Sequence, residues 1–302
     1  MKQPAAMAIF VYKRPEHVRR MLRSVLQNPL ALQSPMHIFC DGPRGDHEAG
    51  AVAQARAVVR ELAPAHARVV ERERNLGLAG SVIAGVSEVI GAHGEAIVIE
   101  DDLEFSPVAL DYFNAGLQRY RGEERVMHLA GYMYPVRGVL PEAFFCREAT
   151  CYGWATWSRA WRHFEPDGKR IREAVRERGA RREFDVGGSI DFFDMLEAQI
   201  AGRTDSWAIR WYGSLWLRGG LALHPGRSLV RNTGFDGSGE NSGASETWAV
   251  ELSADPVTRF PSAIEEDALA VRALVSYRRR AARQRKLESL QRTLRTFRRW
   301  MA

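Results

Sequence analysis

Ala96-Ile97-Val98-Ile99-Glu100-Asp101-Asp102 is the stretch on which the fold turns. Its apolar half is rich in β-branched residues and follows Gly94, so it reads as a buried strand. That strand delivers three carboxylates in succession at its C-terminal end, the edge where open α/β sheets bind ligands. Burying adjacent carboxylates without counter-charge is costly. A hard divalent cation supplies that charge, and Mg²⁺ or Mn²⁺ takes oxygen ligands from carboxylates and from substrate phosphates. An isolated acidic triplet is more often a solvated loop, so the flanking segments decide.

Working outward, residues 7–12 and 36–40 read as strands and 67–71 as a third short one. Between them, 15–26, 48–62 and 81–90 read as helices. In the first of these, Val18, Met21, Leu22 and Val25 share one face, and Pro15 sits at its start. With 96–99 as the fourth strand, the β-α-β-α-β-α-β order implies an α/β fold: a Rossmann-like, mostly parallel central sheet with helices on its faces. The second half is less regular and holds all eight tryptophans. Residues 126–129 read as a strand, 156–161 as the start of a helix, 169–182 as a helix or mobile insertion, and 215–223 with 228–230 as strand or helix–strand elements. The Gly-, Ser- and Asn-rich stretch 232–243 reads as a loop, either a substrate lid or a plain connection.

The chain has 302 residues, 45% hydrophobic and 26% charged, enough for one large domain or two modest ones. No segment has the apolar length of a membrane span, and the N-terminus lacks the features of a signal peptide. Cys40, Cys146 and Cys151 have no metal-finger spacing, so a reduced, cytoplasmic setting is expected. Residues 278–300 carry +9 against a chain total of +6, leaving the rest at −3. A body of that sign disfavours nucleic acid as the partner. In the tail, Leu287, Leu290, Leu294, Phe297 and Met301 make one apolar stripe on a cationic helix. Such a helix suits an anionic membrane surface or a partner helix, and it equally suits packing on the body. The expected division is 1–277, with halves of about 1–125 and 126–277, and a basic amphipathic helix at 278–302.

Other motifs each carry two readings. Asp41, ending the second strand, can accept an N–H from a base or simply make an Asp-Gly-Pro turn. Lys13-Arg14-Pro15 joins cations to a helix N-terminus, which suits a diphosphate. Asn75-Leu76-Gly77 opens another helix without a GxGxxG pattern or a Walker lysine, which disfavours dehydrogenases and P-loop enzymes. Trp154, Trp157 and Trp161 can stack on sugars or fill a core. Asp205, before Ser206-Trp207, can act as a general base or cap the helix after it.

Taken in order, Val11-Tyr12-Lys13-Arg14, Phe39-Cys40-Asp41-Gly42, Asn75-Leu76-Gly77, Glu100-Asp101-Asp102-Leu103-Glu104 with Ser106-Pro107, and Gly153-Trp154 resemble the GT-A fold nucleotide-sugar glycosyltransferases. The likeness is to bacterial family-2-like enzymes and to the N-acetylglucosaminyltransferase I group. It covers roughly residues 7–161 and, more loosely, 205–239. The resemblance implies a metal-dependent, inverting transfer from a nucleoside-diphosphate sugar, most often a UDP-sugar. The acceptor would be a glycan or lipid-linked hydroxyl, in bacterial surface-polysaccharide synthesis. The setting would be cytoplasmic or peripheral on the inner membrane face. It implies that Asp102 ligates Mn²⁺ or Mg²⁺ and that Arg14 contacts the diphosphate. Asp41 would take the base, Glu100 and Asp101 the donor's ribose or sugar, and Asn75 and Gly77 would border the nucleotide. Trp154 and Trp207 would stack on sugar. The family has Asp-Asp-Trp near the acceptor, and Asp205-Ser206-Trp207 keeps one acid of the two. Asp205 is therefore the first candidate base, with Asp191, Asp194 and Asp236 as alternatives. The 234–243 loop has no His for the metal, only Asp236, Glu240 and Asn241 as donors. A sugar-phosphate nucleotidyltransferase, or a non-catalytic glycan- or nucleotide-binding protein on the same fold, would share the carboxylates. The former lacks its glycine-rich signature after the first strand.

Overall fold

The computed structural model describes residues 3–234 and 249–301, with side chains to residue 284. The stripe at 287–301 and Asp236, Glu240 and Asn241 lie outside the residues so described.

The strands are β1 (Ala6–Val11), β2 (Met36–Cys40), β3 (Arg68–Glu71), β4 (Glu95–Glu100), β5 (Leu103–Phe105), β6 (Val126–Ala130), β7 (Ala143–Cys146), β8 (Trp154–Trp157), β9 (Leu221–Pro225) and β10 (Val230–Asn232). The helices of the first half are α1 (Pro15–Leu26), α2 (Asp46–Leu62), α3 (Gly77–His93) and α4 (Ala109–Arg119). After them come α5 (Ser158–Trp161), α6 (Gly168–Glu177), α7 (Arg181–Phe184), α8 (Phe192–Ile200), α9 (Trp207–Leu217) and α10 (Ala268–Met301). Eight strands form one sheet in the order β3-β2-β1-β4-β8-β6-β9-β7, and β10 pairs with β5 in a separate ribbon. The α/β class and the parallel order of the first half are as expected: β1 lies parallel between β2 and β4, and β3 is parallel to β2.

Alternation along β1 divides the interior in two. Met7, Ile9 and Val11 face a core shared with α1 and α2, through Val18, Met21, Leu22, Val25, Val58 and Val59. Ala6, Ala8 and Phe10 face the other core, shared with α3 and α9. Period-two alternation places successive side chains on opposite faces, and a sheet covered on both sides needs apolar residues at every position.

Two expectations change. Residues 156–161 do not begin a helix. Trp154–Trp157 is strand β8, antiparallel to β4 and β6, and only Ser158–Trp161 turns helical. Four residues with Trp154 in one core and Ala155 and Trp157 in the other carry the strand period. The boundary at 278 also falls inside an element. α10 starts at Ala268, and Ala270 and Leu274 are buried against Met133, Phe144 and Cys146. Arg278, counted in the sequence among the tail cations, is buried and paired with Glu148. One sheet runs through both expected halves. Among the described residues, no helix is long and apolar enough to cross a membrane.

Candidate functional site

Loops after β1, β2 and β4 meet beyond the C-terminal ends of these parallel strands and border a cavity of about 440 Å³. Tyr12, Lys13 and Arg14 come from the first loop, Asp41 and Arg44 from the second, and Asp101 and Asp102 follow Glu100 at the end of β4. The facing wall is largely apolar: Leu78 and Val82 of α3, Met195 and Ala198 of α8, and Trp207 and Ala208 of α9. Tyr152 and Cys151 close one end, and Asn75 and Asn232 also line the space. A more open groove of about 580 Å³ lies between β7 and residues 259–267, but it includes none of the residues singled out by sequence.

Arg14 is the hub of the charged side. Its Nη2 donates to Asp101 Oδ1 and, at 3.1 Å, to Asp102 Oδ2. The Tyr12 amide donates to Asp101 Oδ2 at 3.0 Å. Arg14 Nη1 is buried with no acceptor. One guanidinium thus faces three carboxylates. Burial, then repulsion from Asp102 and Asp101, pushes the Glu100 carboxyl up to about 8. Burial and the Asp101 charge raise Asp102 as well, against the pull of Arg14.

A carboxyl whose folded pKa lies above its unfolded value binds its proton more tightly in the native state. Its contribution to stability is present at low pH and is lost as pH rises through the folded value. Without added metal, the protein is therefore expected to lose stability between about pH 4.5 and 8, the span between the ordinary Glu100 value and its folded one. Glu100→Gln should reduce that slope. Urea midpoints across the range measure it, and an unchanged slope in the variant would contradict the assignment.

The donor set fits a hard divalent ion. Glu100, Asp101, Asp102 and Asn232 offer oxygen donors, and the carboxylates lining the cavity outnumber its cations. Space is kept beside Asp102 by Gly234: a Cβ there would lie 2.4 Å from Asp102 Oδ2 and 3.1 Å from Asn232 Oδ1. Among the described residues, no group of three His, Cys, Asp or Glu side chains forms a protein-only metal cage.

Several sequence-derived candidates brace loops. Both Asp41 oxygens accept the Leu76 amide at 3.1 Å, and Oδ1 also takes the Gly42 amide. Asn75 Nδ2 donates to the Gly42 carbonyl at 2.9 Å, and its Oδ1 accepts the Gly77 amide at 2.9 Å. Gly77 itself adopts φ +72°, a left-handed conformation that favours glycine, at the first turn of α3. It borders Asp205 rather than the cavity. Asp205 Oδ2 accepts the Ala79 amide at 3.2 Å, and its side chain is 60% exposed. Its neighbours Thr204 and Ser206 line the cavity, while Asp205 stands at the rim. Ser206 Oγ caps α9, a role the sequence reading offered to Asp205. Asp191 precedes α8 and Asp194 pairs with Arg181 at 2.7 Å, and neither lines the cavity.

Both candidate stacking tryptophans are buried. A stacking role needs a ring face open to a ligand, and Trp154 is fully buried. Its ring packs on His128 at 5.2 Å and on Trp207 at 5.3 Å, so it is a core residue and not a sugar platform. Trp207 borders the cavity but is equally enclosed, stacked on Trp154, and it too has no open ring face for a sugar.

Other residues enter only through the fold. Glu48, in the first turn of α2, accepts Lys13 Nζ at 2.6 Å, the Tyr12 hydroxyl, and the Arg44 amide at 3.0 Å. Those partners, Lys13 first, draw its carboxyl down to about 2. Nothing in the sequence separates it from any other acid at a helix start. Asn232 reaches the site because β10 pairs antiparallel with β5, setting Asn232 opposite Leu103. The next residue, Thr233, then donates its amide to the Asp102 carbonyl at 2.8 Å. Its only sequence signal is its place at the start of the polar loop.

No family model matches the chain, and no curated protein matches it. Among solved structures it is similar to a crystal structure of S. aureus TarS. The two share 14% identity over 47% of this chain and 24% of that one, with a TM-score of 0.31. A crystal structure of S. aureus TarS 1-349 gives 13% identity over 45% of this chain and 39% of that one, with a TM-score of 0.32. The chain thus spans well under half the length of either, and likeness of this degree carries no functional weight.

Proposed function

We propose that this chain is a metal-dependent, inverting glycosyltransferase. It moves a sugar from a nucleoside-diphosphate donor, a UDP-sugar first, to a hydroxyl of a glycan or lipid-linked acceptor, in surface-polysaccharide synthesis. The observation that carries this reading is the meeting of Arg14 with Asp101 and Asp102 at the C-terminal sheet edge, beside a cavity with an apolar facing wall.

Arg14 Nη1, buried without an acceptor, is the donor for a phosphate oxygen. Asp101 and the Tyr12 amide hold that guanidinium in place. Asp102 holds the ion, and the Asp41–Asn75 brace shapes the wall that receives the base. A bound Mn²⁺ or Mg²⁺ supplies Lewis-acid neutralisation of the leaving diphosphate. Trp207 and the α8 and α9 side chains exclude water from the donor sugar. The cationic helix beyond Arg278 meets an anionic surface or a partner helix.

Asp205 remains the proposed base, turning from the Ala79 amide toward an acceptor hydroxyl. Asp205→Asn keeps an oxygen for the Ala79 amide. It is expected to preserve donor affinity while lowering turnover about 10²- to 10⁴-fold, the usual worth of a positioned base. Wild-type turnover in that variant would remove Asp205 from the role.

The reading is tested by calorimetric titration of UDP, GDP, dTDP and CMP with and without Mn²⁺. Metal-dependent binding of one of them supports it and selects the donor class. No binding to a folded sample rejects it.

A further inference from the structure

Residues 147–153 join β7 to β8 without regular structure, and Cys151 and Tyr152 within them form one end of the cavity. A stretch without its own hydrogen-bond ladder must be held by its surroundings. Two buried histidines hold its backbone. His224 Nε2 donates to the Glu148 carbonyl at 2.7 Å, and His128 Nε2 donates to the Thr150 carbonyl at 3.0 Å. Trp211 Nε1 donates to His128 Nδ1 at 3.1 Å, which fixes the neutral tautomer.

The third restraint comes from far along the chain. Arg278 of α10 and Glu148 form an ion pair in which each side chain is 2% exposed. The other Glu148 oxygen accepts the Tyr134 hydroxyl at 2.8 Å, and the Arg278 guanidinium lies 4.6 Å from the Tyr134 ring centroid. Arg278 Nε and Nη1 are buried without acceptors. A buried pair with unsatisfied donors is a poor source of stability, because desolvation offsets much of its attraction. What such a pair does supply is a fixed position. A file of rings runs alongside it from the cavity to α10: Tyr152 to Tyr132 at 5.3 Å, Tyr132 to Tyr134 at 5.1 Å, and Tyr134 to Tyr277 at 5.9 Å.

We propose that Arg278 and Glu148 are positioning residues, through which docked α10 sets the cavity wall made by Cys151 and Tyr152. Filling the cavity and docking α10 are then linked, and each favours the other by the same factor. What the cavity binds rests on the transferase reading; the linkage of wall to helix does not.

Hydrogen exchange on the ligand-free full chain tests this. Arg278→Met is expected to speed exchange at amides 149–153 by about tenfold, with β1 and β2 unchanged and Arg278→Lys intermediate. Arg279→Ala, one residue on, should leave 149–153 as in wild type. A uniform rise across the chain, or no change at 149–153, would overturn the proposal. If Arg278→Met does not fold, Tyr134→Phe carries the test, with a rise of about two- to threefold at the same amides expected and no rise overturning it. A functional readout separates positioning from plain stability. Mn²⁺-dependent UDP affinity should weaken about fivefold in Arg278→Met, or in Tyr134→Phe if only that variant folds, at temperatures where the fold is intact. Wild-type affinity there overturns the positioning role. If the wild-type chain binds no nucleotide, the transferase reading fails and the exchange result alone decides the linkage.

Discussion

Asp102→Ala is expected to abolish metal-dependent nucleotide binding while leaving the fold intact. Asp102 stands where Gly234 keeps open space and where Asn232 brings a second oxygen. Its carboxyl is held above the ordinary range by burial and by Asp101, a state that an added cation relieves. Removing it takes away the proposed direct ligand. Even indirect partners of a metal are worth about 10- to 100-fold in affinity, so a loss of about 100-fold or more is expected. The protein should not unfold, because the variant also removes one of the like charges crowding Glu100. Calorimetry with Mn²⁺ and a nucleoside diphosphate gives the affinity, and a urea titration gives the stability. Wild-type affinity in a folded Asp102→Ala sample would eliminate the metal assignment.

Arg14→Met has the opposite balance. It removes the cation and keeps all three acids, with Asp101 and Asp102 largely buried. Breaking a buried pair by deleting one partner costs about 3–5 kcal/mol, because the remaining charge is uncompensated. The sign of its pH dependence follows. Without Arg14 the Glu100 and Asp102 carboxyls, already raised in the folded state, are raised further, so the variant's stability falls more steeply as pH increases. The destabilisation should be larger near pH 8 and shrink toward pH 5, where Glu100 holds its proton in the folded state. Urea unfolding at the two values decides the matter, and equal penalties at both would contradict the charge-balance argument. The variant should also lose nucleotide affinity in the presence of Mn²⁺, since Nη1 is the phosphate donor proposed above.

The first half of the fold was legible because its signals are local. Ile97-Val98-Ile99 cannot be other than a buried segment, and the 15–26 helix carries its own apolar stripe and starting proline. The convergence of Arg14, Asp41, Glu100, Asp101 and Asp102 followed from the parallel order alone, since parallel strands deliver their C-terminal residues to one edge. Less legible was what each acid touches. Asp41 and Asp205 meet the amides of Leu76 and Ala79, across sequence gaps that no pattern reveals. Trp154 was misread because an aromatic beside glycine looks alike in a core and in a binding platform; only the position of β8 between β4 and β6 settles that it is enclosed. The pairing of Arg278 was invisible for a related reason. In a run of arginines nothing marks the one that turns inward, and its partner Glu148 lies more than a hundred residues earlier.

The enclosed tryptophans give the protein an optical property. Trp154 lies 5.3–5.9 Å, centroid to centroid, from Trp161, Trp207 and Trp211, Trp161 lies 5.0 Å from Trp211, and all four are buried. At such separations absorbed light is shared among the indoles, so emission and near-ultraviolet dichroism report the cluster as a unit. Trp207 is the member at the cavity wall. A molecule entering the cavity therefore perturbs a signal drawn from all four rings, and the chain carries its own fluorophore for following occupancy without a label.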